Sequence, residues 1–357
     1  MLENKWAIRI TVVAALLAFA VILLGAATRL KEAGLACPDW PGCYGQIVVP
    51  HSSHILTKQT LDPNKAWAEM IHRYAAATLG FSCLLAAILI LKQRRLPNQP
   101  TMMAVGLLIL LFFQGLLGKW TITLRLHPLV VMTHLLGGLT LLGMLWMLVL
   151  RLRHTCWNDF TKQEKKLRLW TAIGLVFVMI QIILGGWTSS NYAAFVCPDF
   201  PTCQGHWWPS MNFSEGFHLP LDTNRNFAGG QLSNDARTAI QISHRLGALA
   251  TTLYLVFLAW KLQTVSKKIT LRTISLVLVT LLVLQITLGI LNVIWLLPLF
   301  IAVAHNGVAG GLLLTLLTLW IYLSQNRYTI YTQRSDKPGI SNVERQQDTG
   351  CIGGDTG

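Results

Sequence analysis

Ala68-Glu69-Met70-Ile71-His72-Arg73-Tyr74-Ala75-Ala76-Ala77-Thr78-Leu79-Gly80 carries ionisable side chains into a stretch otherwise apolar enough to cross a membrane. Such groups are costly in hydrocarbon and mark functional positions there. Glu69 and His72 are three residues apart, so on a helix they share a face and can address one ligand. The motif returns as Gln241-Ile242-Ser243-His244-Arg245-Leu246-Gly247-Ala248-Leu249-Ala250, with His-Arg intact and Gln241 in the place of Glu69. Two related sites with unequal roles are expected.

Outward from this stretch the chain is built of similar material. Its 357 residues are 53% hydrophobic and 12% charged, far more apolar than a soluble domain requires. Runs long enough to span a bilayer lie near 7–27, 67–91, 101–121, 128–150, 167–187, 239–261, 270–292 and 298–321, since about 20 residues suffice. The fold class is therefore all-α integral membrane protein with eight transmembrane helices. The net charge of +14 is not that of a nucleic-acid binder. Of 29 Lys and Arg, 19 fall in the N-terminus, the loops 92–100, 151–168 and 261–272 and the tail, against seven on the other side and three within helices. That asymmetry places both termini in the cytoplasm and the loops 28–66 and 188–238 outside. No cleavable signal or transit peptide is expected, because the first apolar run has full spanning length and no small-residue cleavage site follows it.

The chain repeats itself. Leu24-Gly25-Ala26-Ala27-Thr28 matches Leu184-Gly185-Gly186-Trp187-Thr188, and Cys37-Pro38-Asp39-Trp40-Pro41-Gly42-Cys43 matches Cys197-Pro198-Asp199-Phe200-Pro201-Thr202-Cys203, both at an offset of 160. Beyond the outer loop the offset grows: His72 pairs with His244 at 172, and Gln114, Gly118 and His134 pair with Gln285, Gly289 and His305 at 171. An insertion of about a dozen residues in the second outer loop accounts for the jump. Two four-helix halves in parallel orientation follow: residues 1–150, a cytoplasmic linker 151–166, residues 167–321, and a polar tail 322–357 that lacks periodicity and is expected to be disordered.

Of the seven cysteines, Cys37 with Cys43 and Cys197 with Cys203 sit in the outer loops, where an oxidising compartment favours a disulfide within each loop. Half of a zinc site is the alternative, although no histidine spacing around either pair resembles one. Cys83, Cys156 and Cys351 are expected to be free. Gln114, Gln181 and Gln285 each precede a glycine by four residues, with Val21 in the corresponding first position; helix packing, in which small residues let backbones approach and a lone Gln bonds across helices, is the favoured reading over direct ligation. The second outer loop, with Trp207, Trp208, Pro209, Phe213 and Phe217, is expected to form an ordered cap at the membrane interface.

Four of the ten histidines share an address. His72, His134, His244 and His305 lie five to seven residues inside the predicted second, fourth, sixth and eighth spans, roughly 7–10 Å below the outer surface at 1.5 Å per residue. A haem needs two axial ligands from opposite sides, and neutral imidazole binds its iron without adding charge to a low-dielectric site. Small residues follow each histidine, namely Ala75, Ala76 and Gly80, Gly137 and Gly138, Gly247 and Ala248, and Gly307, Gly310 and Gly311; they would let a porphyrin lie against the helix. Hydrogen-bonding or proton-relay histidines are the bland alternative for any one of the four, and zinc or copper is disfavoured by the lack of acidic or thiolate neighbours at the second site. Arg73 and Arg245 are placed either to pair with propionates or to snorkel to headgroups.

These elements together resemble the heme A synthase family: the four half-repeat histidines, Glu69-x-x-His72, the two Cys-Pro-Asp-x-Pro-x-Cys loops and eight helices in two halves. The likeness covers about residues 7–321. It implies a bacterial plasma-membrane enzyme that oxidises the C8 methyl of haem O to the formyl group of haem A, with its haem sites near the outer face. It further implies a resident haem b held by His244 and His305, substrate haem O between His72 and His134, and Glu69 as the catalytic residue. Haem O synthase and an electron carrier are the implied partners besides the lipid membrane, and a homo-oligomer is compatible with it. A dihaem cytochrome b-type electron carrier would use the same histidines without needing Glu69. A haem transporter or chaperone would leave the pigment unchanged.

Overall fold

A computed structural model describes residues 2–50, 62–95, 99–153, 160–219 and 225–324. Eight long helices are each apolar enough to cross a membrane: α1 (Leu2–Leu30), α2 (Pro63–Lys92), α3 (Thr101–Thr123), α4 (Pro128–Leu152), α5 (Lys162–Ser190), α7 (Asn234–Val265), α8 (Ile269–Ile294) and α9 (Leu299–Ser324). The short α6 (Phe213–Gly216) and a 3-10 turn (Ala193–Val196) belong to the second outer loop. No strand forms among the described residues. Two isolated bridges, Cys43 with Gln46 and Cys203 with His206, close the two cysteine loops.

Several helices outrun their predicted spans, because hydropathy reports the apolar slab whereas polar caps set the ends of the hydrogen-bond ladder. Asp62 caps α2 by accepting from the N–H groups of Asn64 and Lys65, with Pro63 in the first turn. Thr161 and Glu164 form a reciprocal capping box on α5. Ser233 caps α7 through the N–H of Ala236. The predicted linker therefore shortens, with α4 running to Leu152 and α5 starting at Lys162. The tail from 325, with Cys351, lies outside the described residues, as do Cys156, His51, His54 and His154.

In the first half α1 packs on α2 and α4, and α3 packs on α2 and α4; in the second, α5 packs on α7 and α9, and α8 on α7 and α9. The halves meet through α1 with α9, α4 with α5, and α4 with α9. Trp146 donates its indole N–H to Thr318 Oγ1 across that seam at 2.8 Å. Two leucine-rich cores result. One groups Leu107, Leu142, Leu145 and Leu148 of the first half, the other Leu255, Leu258, Leu278 and Leu316 of the second.

Backbone geometry follows the sequence repeat. Glu32 and Tyr192, Tyr44 and Gln204, Arg125 and Leu296, and Leu126 and Leu297 all hold positive φ, and they form four pairs at the offsets of 160 and 171. The Arg125–Leu126 and Leu296–Leu297 turns are closed alike, by Leu126 N–H to Thr121 O and Leu297 N–H to Asn292 O, both at 2.8 Å. Such 6→1 closures end a helix sharply. They launch α4 and α9, which carry His134 and His305. These correspondences are consistent with two duplicated bundles.

The second outer loop is ordered over its described residues. Trp187 donates its indole N–H to Gly216 O at 2.9 Å, docking α6 against the end of α5, while Trp207 and Trp208 stand exposed.

Candidate functional site: a layer of four histidines

Each of the four imidazoles lies on a glycine of a neighbouring helix. A Cβ on Gly25 of α1 would stand 3.0 Å from Cε1 of His72 on α2, and one on Gly185 of α5 would stand 3.0 Å from Cε1 of His244 on α7. The corresponding separations are 3.5 Å for Gly118 of α3 and His134 on α4, and 3.1 Å for Gly289 of α8 and His305 on α9. All four residues are half-buried. His72 and His134 are near enough to interact electrostatically, as are His244 and His305. The helix starts are staggered within each half. His72 and His244 lie nine and ten residues past the starts of α2 and α7, whereas His134 and His305 each lie six past the starts of α4 and α9.

Three of the rings are gripped by a glutamine one turn before that glycine. Gln181 Nε2 lies 3.0 Å from Nδ1 of His244 and donates to its backbone carbonyl at 3.1 Å. Gln285 Nε2 lies 3.2 Å from Nε2 of His305. Gln114, in the amide orientation that satisfies both its ends, donates to O and Nδ1 of His134 at 3.2 and 3.0 Å and accepts from Gly138 N–H at 3.1 Å. These glutamines thus bond across helices to the histidines, the interhelical role that the packing reading gave to a lone Gln, with the histidines as its particular partners. Gly137 and Gly247 make the room: a Cβ there would fall 1.6 Å from Gln114 and 2.4 Å from Gln181. The space that sequence reading reserved for a porphyrin at these two glycines is filled by amides. The signal was present in the sequence as Gly three residues after His, combined with Gln four before Gly.

Glu69 is buried at 4% exposure. Its Oε1 pairs with Arg73, and its Oε2 accepts from Cys37 N–H at 3.0 Å. Its counterpart Gln241 is equally buried, with an Oε1 that meets no donor. Both disulfides are formed, Cys37–Cys43 with S–S 1.98 Å and Cys197–Cys203 with S–S 2.01 Å. Arg73 donates to the carbonyls of Asp39, Pro41 and Gly42. Arg245 donates to those of Asp199, Pro201, Thr202 and Cys197. Both guanidinium groups are thus turned onto the cysteine loops. Inside each loop one aspartate ties the turn: Asp39 accepts from the N–H groups of Tyr44 and Gly45, and Asp199 from Gln204, Gly205 and the Thr202 hydroxyl. The Thr202 hydroxyl foremost, with those two N–H groups, holds Asp199 below the usual carboxylate range against the opposing effect of desolvation.

Two clefts of about 540 and 410 Å³ lie under the second outer loop, around Tyr192 and Arg237 and around Asn191 and Phe227. Neither is lined by a histidine of the layer. Among the described residues no three His, Cys, Asp or Glu side chains converge as a protein-only metal cage. Paired imidazoles on glycine platforms are the arrangement present.

A sequence model of the COX15-CtaA family, described as cytochrome oxidase assembly protein, matches residues 8–317, a stretch that includes all four histidines, Glu69 and both cysteine loops. The chain belongs to this family. The heme A synthase of Shewanella oneidensis is 44% identical over 329 residues, covering 90% of this chain and 97% of that protein. The heme A synthase of Caulobacter vibrioides is 29% identical over 71% of this chain and 76% of its own, and that of Caulobacter sp. strain K31 is 27% identical over 86% and 92%. Membership in the COX15-CtaA family bears out the resemblance read from the motifs.

Proposed function

We propose that this chain is a heme A synthase, a membrane oxidoreductase that converts the C8 methyl of haem O to a formyl group. The observation that carries the reading is an asymmetry: two matched imidazole pairs, of which one alone has a buried carboxylate, Glu69, a turn away. An electron carrier needs the pairs but not that difference. The names and coverage of the relatives support the same activity.

The residues fit a haem held by two imidazoles. Glycine platforms let each ring stand close to its neighbouring helix, and in each half the pair comes from the two helices that do not pack on each other but share both of their neighbours, α2 with α4 and α7 with α9, so that the two rings approach from opposite sides. His244 and His305 would hold a resident haem b in the unit 167–321, and His72 with His134 would hold haem O in the unit 1–150. The bound haem b supplies one-electron redox chemistry. The chain's own residues bind and orient. His72 and His134 would hold the macrocycle, and Glu69, clamped by Arg73 and Cys37 N–H, would offer it a fixed negative charge or proton acceptor one helical turn from His72. Arg73 and Arg245 pin the two cysteine loops, which would cover the haem sites on their outer side. Taking the methyl to a formyl group removes four electrons and adds one oxygen atom; with water as the oxygen source, four electrons and four protons leave, and an electron carrier is the partner that would accept the electrons, with haem O synthase as the natural supplier of substrate. The distribution of Lys and Arg argues for cytoplasmic termini and haem sites near the outer face of a bacterial plasma membrane; a homo-oligomer is compatible with this reading.

Co-expression with a haem O source, followed by chromatography and pyridine haemochrome spectra of extracted haems, tests it. A formyl haem that depends on Glu69 is the expected result. Unchanged haem O, bound or translocated, would favour a cytochrome or a transporter.

A further inference from the structure

The four imidazoles are not held alike. Gln114 grips His134, Gln181 grips His244 and Gln285 grips His305, but the position corresponding to these glutamines on α1 is Val21. The glycines that admit two of the amides, Gly137 and Gly247, correspond to Ala75 beside His72, three residues further along the same helix. The first site thus lacks both the amide and the gap for it. The His72 ring faces the backbone carbonyl of Val21 instead of an amide side chain, and its Nδ1, like that of His305, is buried with no hydrogen-bond partner of normal geometry.

A metal-bound imidazole carries a proton on its other nitrogen. An acceptor for that N–H fixes the ring's orientation and raises its basicity, and losing such a partner typically weakens metal binding tenfold to a hundredfold. The amide oxygen of Gln285 is buried without a donor and its Nε2 meets only the ring, so turning that amide over brings the oxygen to the ring nitrogen as acceptor, while Gln114 and Gln181 hold the backbone carbonyls of His134 and His244 together with their rings. Val21 has nothing to turn.

We propose that His72 is the exchangeable axial ligand, that Val21 and Ala75 make it so, and that Gln114, Gln181 and Gln285 are positioning residues for the other three. The inference rests on the haem placement proposed above and deepens it. The half assigned to a resident pigment has two gripped imidazoles, which suits retention. The half assigned to a substrate has one gripped and one loose, which lets a haem be held in register by His134 while the His72 side opens for entry and product release.

The test uses full-length protein loaded with haem O and measures transfer of haem O to apomyoglobin, with chromatography to separate it from haem b, and the rate at which carbon monoxide displaces a ligand in the reduced protein. Val21→Gln combined with Ala75→Gly should slow both rates about tenfold or more, and Gln114→Val should speed haem O release by a similar factor. Gln114→Val keeps the question open to refutation should the double variant fold poorly. The proposal is overturned if haem O is bound through His72 and His134 yet neither substitution changes either rate. If His72→Ala and His134→Ala leave haem O binding intact, the haem placement itself fails instead.

Discussion

Oε2 of Glu69 accepts the backbone N–H of Cys37 at 3.0 Å, tying the carboxylate of α2 to the disulfide that closes the first outer loop. With Arg73 on its other oxygen, Glu69 is held in one place. Glu69→Gln should therefore leave haem content and protein level nearly intact while lowering haem A formation by about two orders of magnitude, the usual loss when a preorganised charge is removed. Glu69→Asp should recover part of the activity, since its shorter side chain cannot reach both donors. Chromatography of extracted haems measures both, and unchanged turnover in Glu69→Gln would remove the catalytic role.

His244→Ala and His305→Ala should each bleach the tightly retained pigment of the purified protein, because a bis-imidazole site loses its strong ligand field with either ring. Full haem content and an unaltered spectrum in both variants would move the resident site elsewhere.

Glycine platforms predict a graded series. Gly25→Ala puts a Cβ 3.0 Å from Cε1 of His72, so the ring must shift, whereas Gly118→Ala makes an ordinary 3.5 Å contact with His134. Haem O binding should fall several-fold in the first and stay near wild type in the second. Equal effects at the two positions would show that the contacts do not set ring placement.

Replacing Arg245 by Gln removes charged donors from four loop carbonyls, each such bond contributing about 1.5–3 kcal/mol when formed. Dithiothreitol should then reduce Cys197–Cys203 at least about tenfold faster through easier local opening. An unchanged reduction rate, read by thiol alkylation and mass mapping, would mean that the loop holds its shape without the arginine.

Acid should loosen the same loop. Asp199 titrates below its ordinary value of 3.8, so its contribution to loop stability is complete above that value and is lost as pH falls through the lower native one. Hydrogen exchange of peptides spanning 197–206, corrected for intrinsic rates, should be flat from pH 7 to 5 and rise only at more acid pH. Asp199→Asn should abolish that dependence, and its persistence in the variant would implicate another group.

Much of this was readable before any coordinates. Eight spans follow from apolar runs, and the repeat follows from Cys, His and Gly positions that recur at fixed offsets. What escaped was chosen by backbone. Cys37 N–H, the carbonyls met by Arg73 and Arg245, and the Val21 carbonyl have no side-chain signature, so no motif announces that Glu69 faces a loop amide or that both arginines are engaged by the loops. Gln114 and Gln181, and the glycines three residues after His134 and His244, are legible in the sequence, but that each amide fills the Cβ position of Gly137 or Gly247 follows from the packing of neighbouring helices.

Arg29, at the outer end of α1, donates to the carbonyl of Ser189 at 2.7 Å and stacks over Tyr192 at 3.9 Å. Ser189 is the counterpart of Arg29 at the offset of 160, so this contact joins equivalent positions of the two sequence repeats. Two first halves brought together there would oppose guanidinium to guanidinium, and two second halves would have no cation to offer. Split into separate chains, the halves should recognise each other and reject themselves: the molecule carries a mating rule at its pole, written by one residue that did not stay the same on both sides.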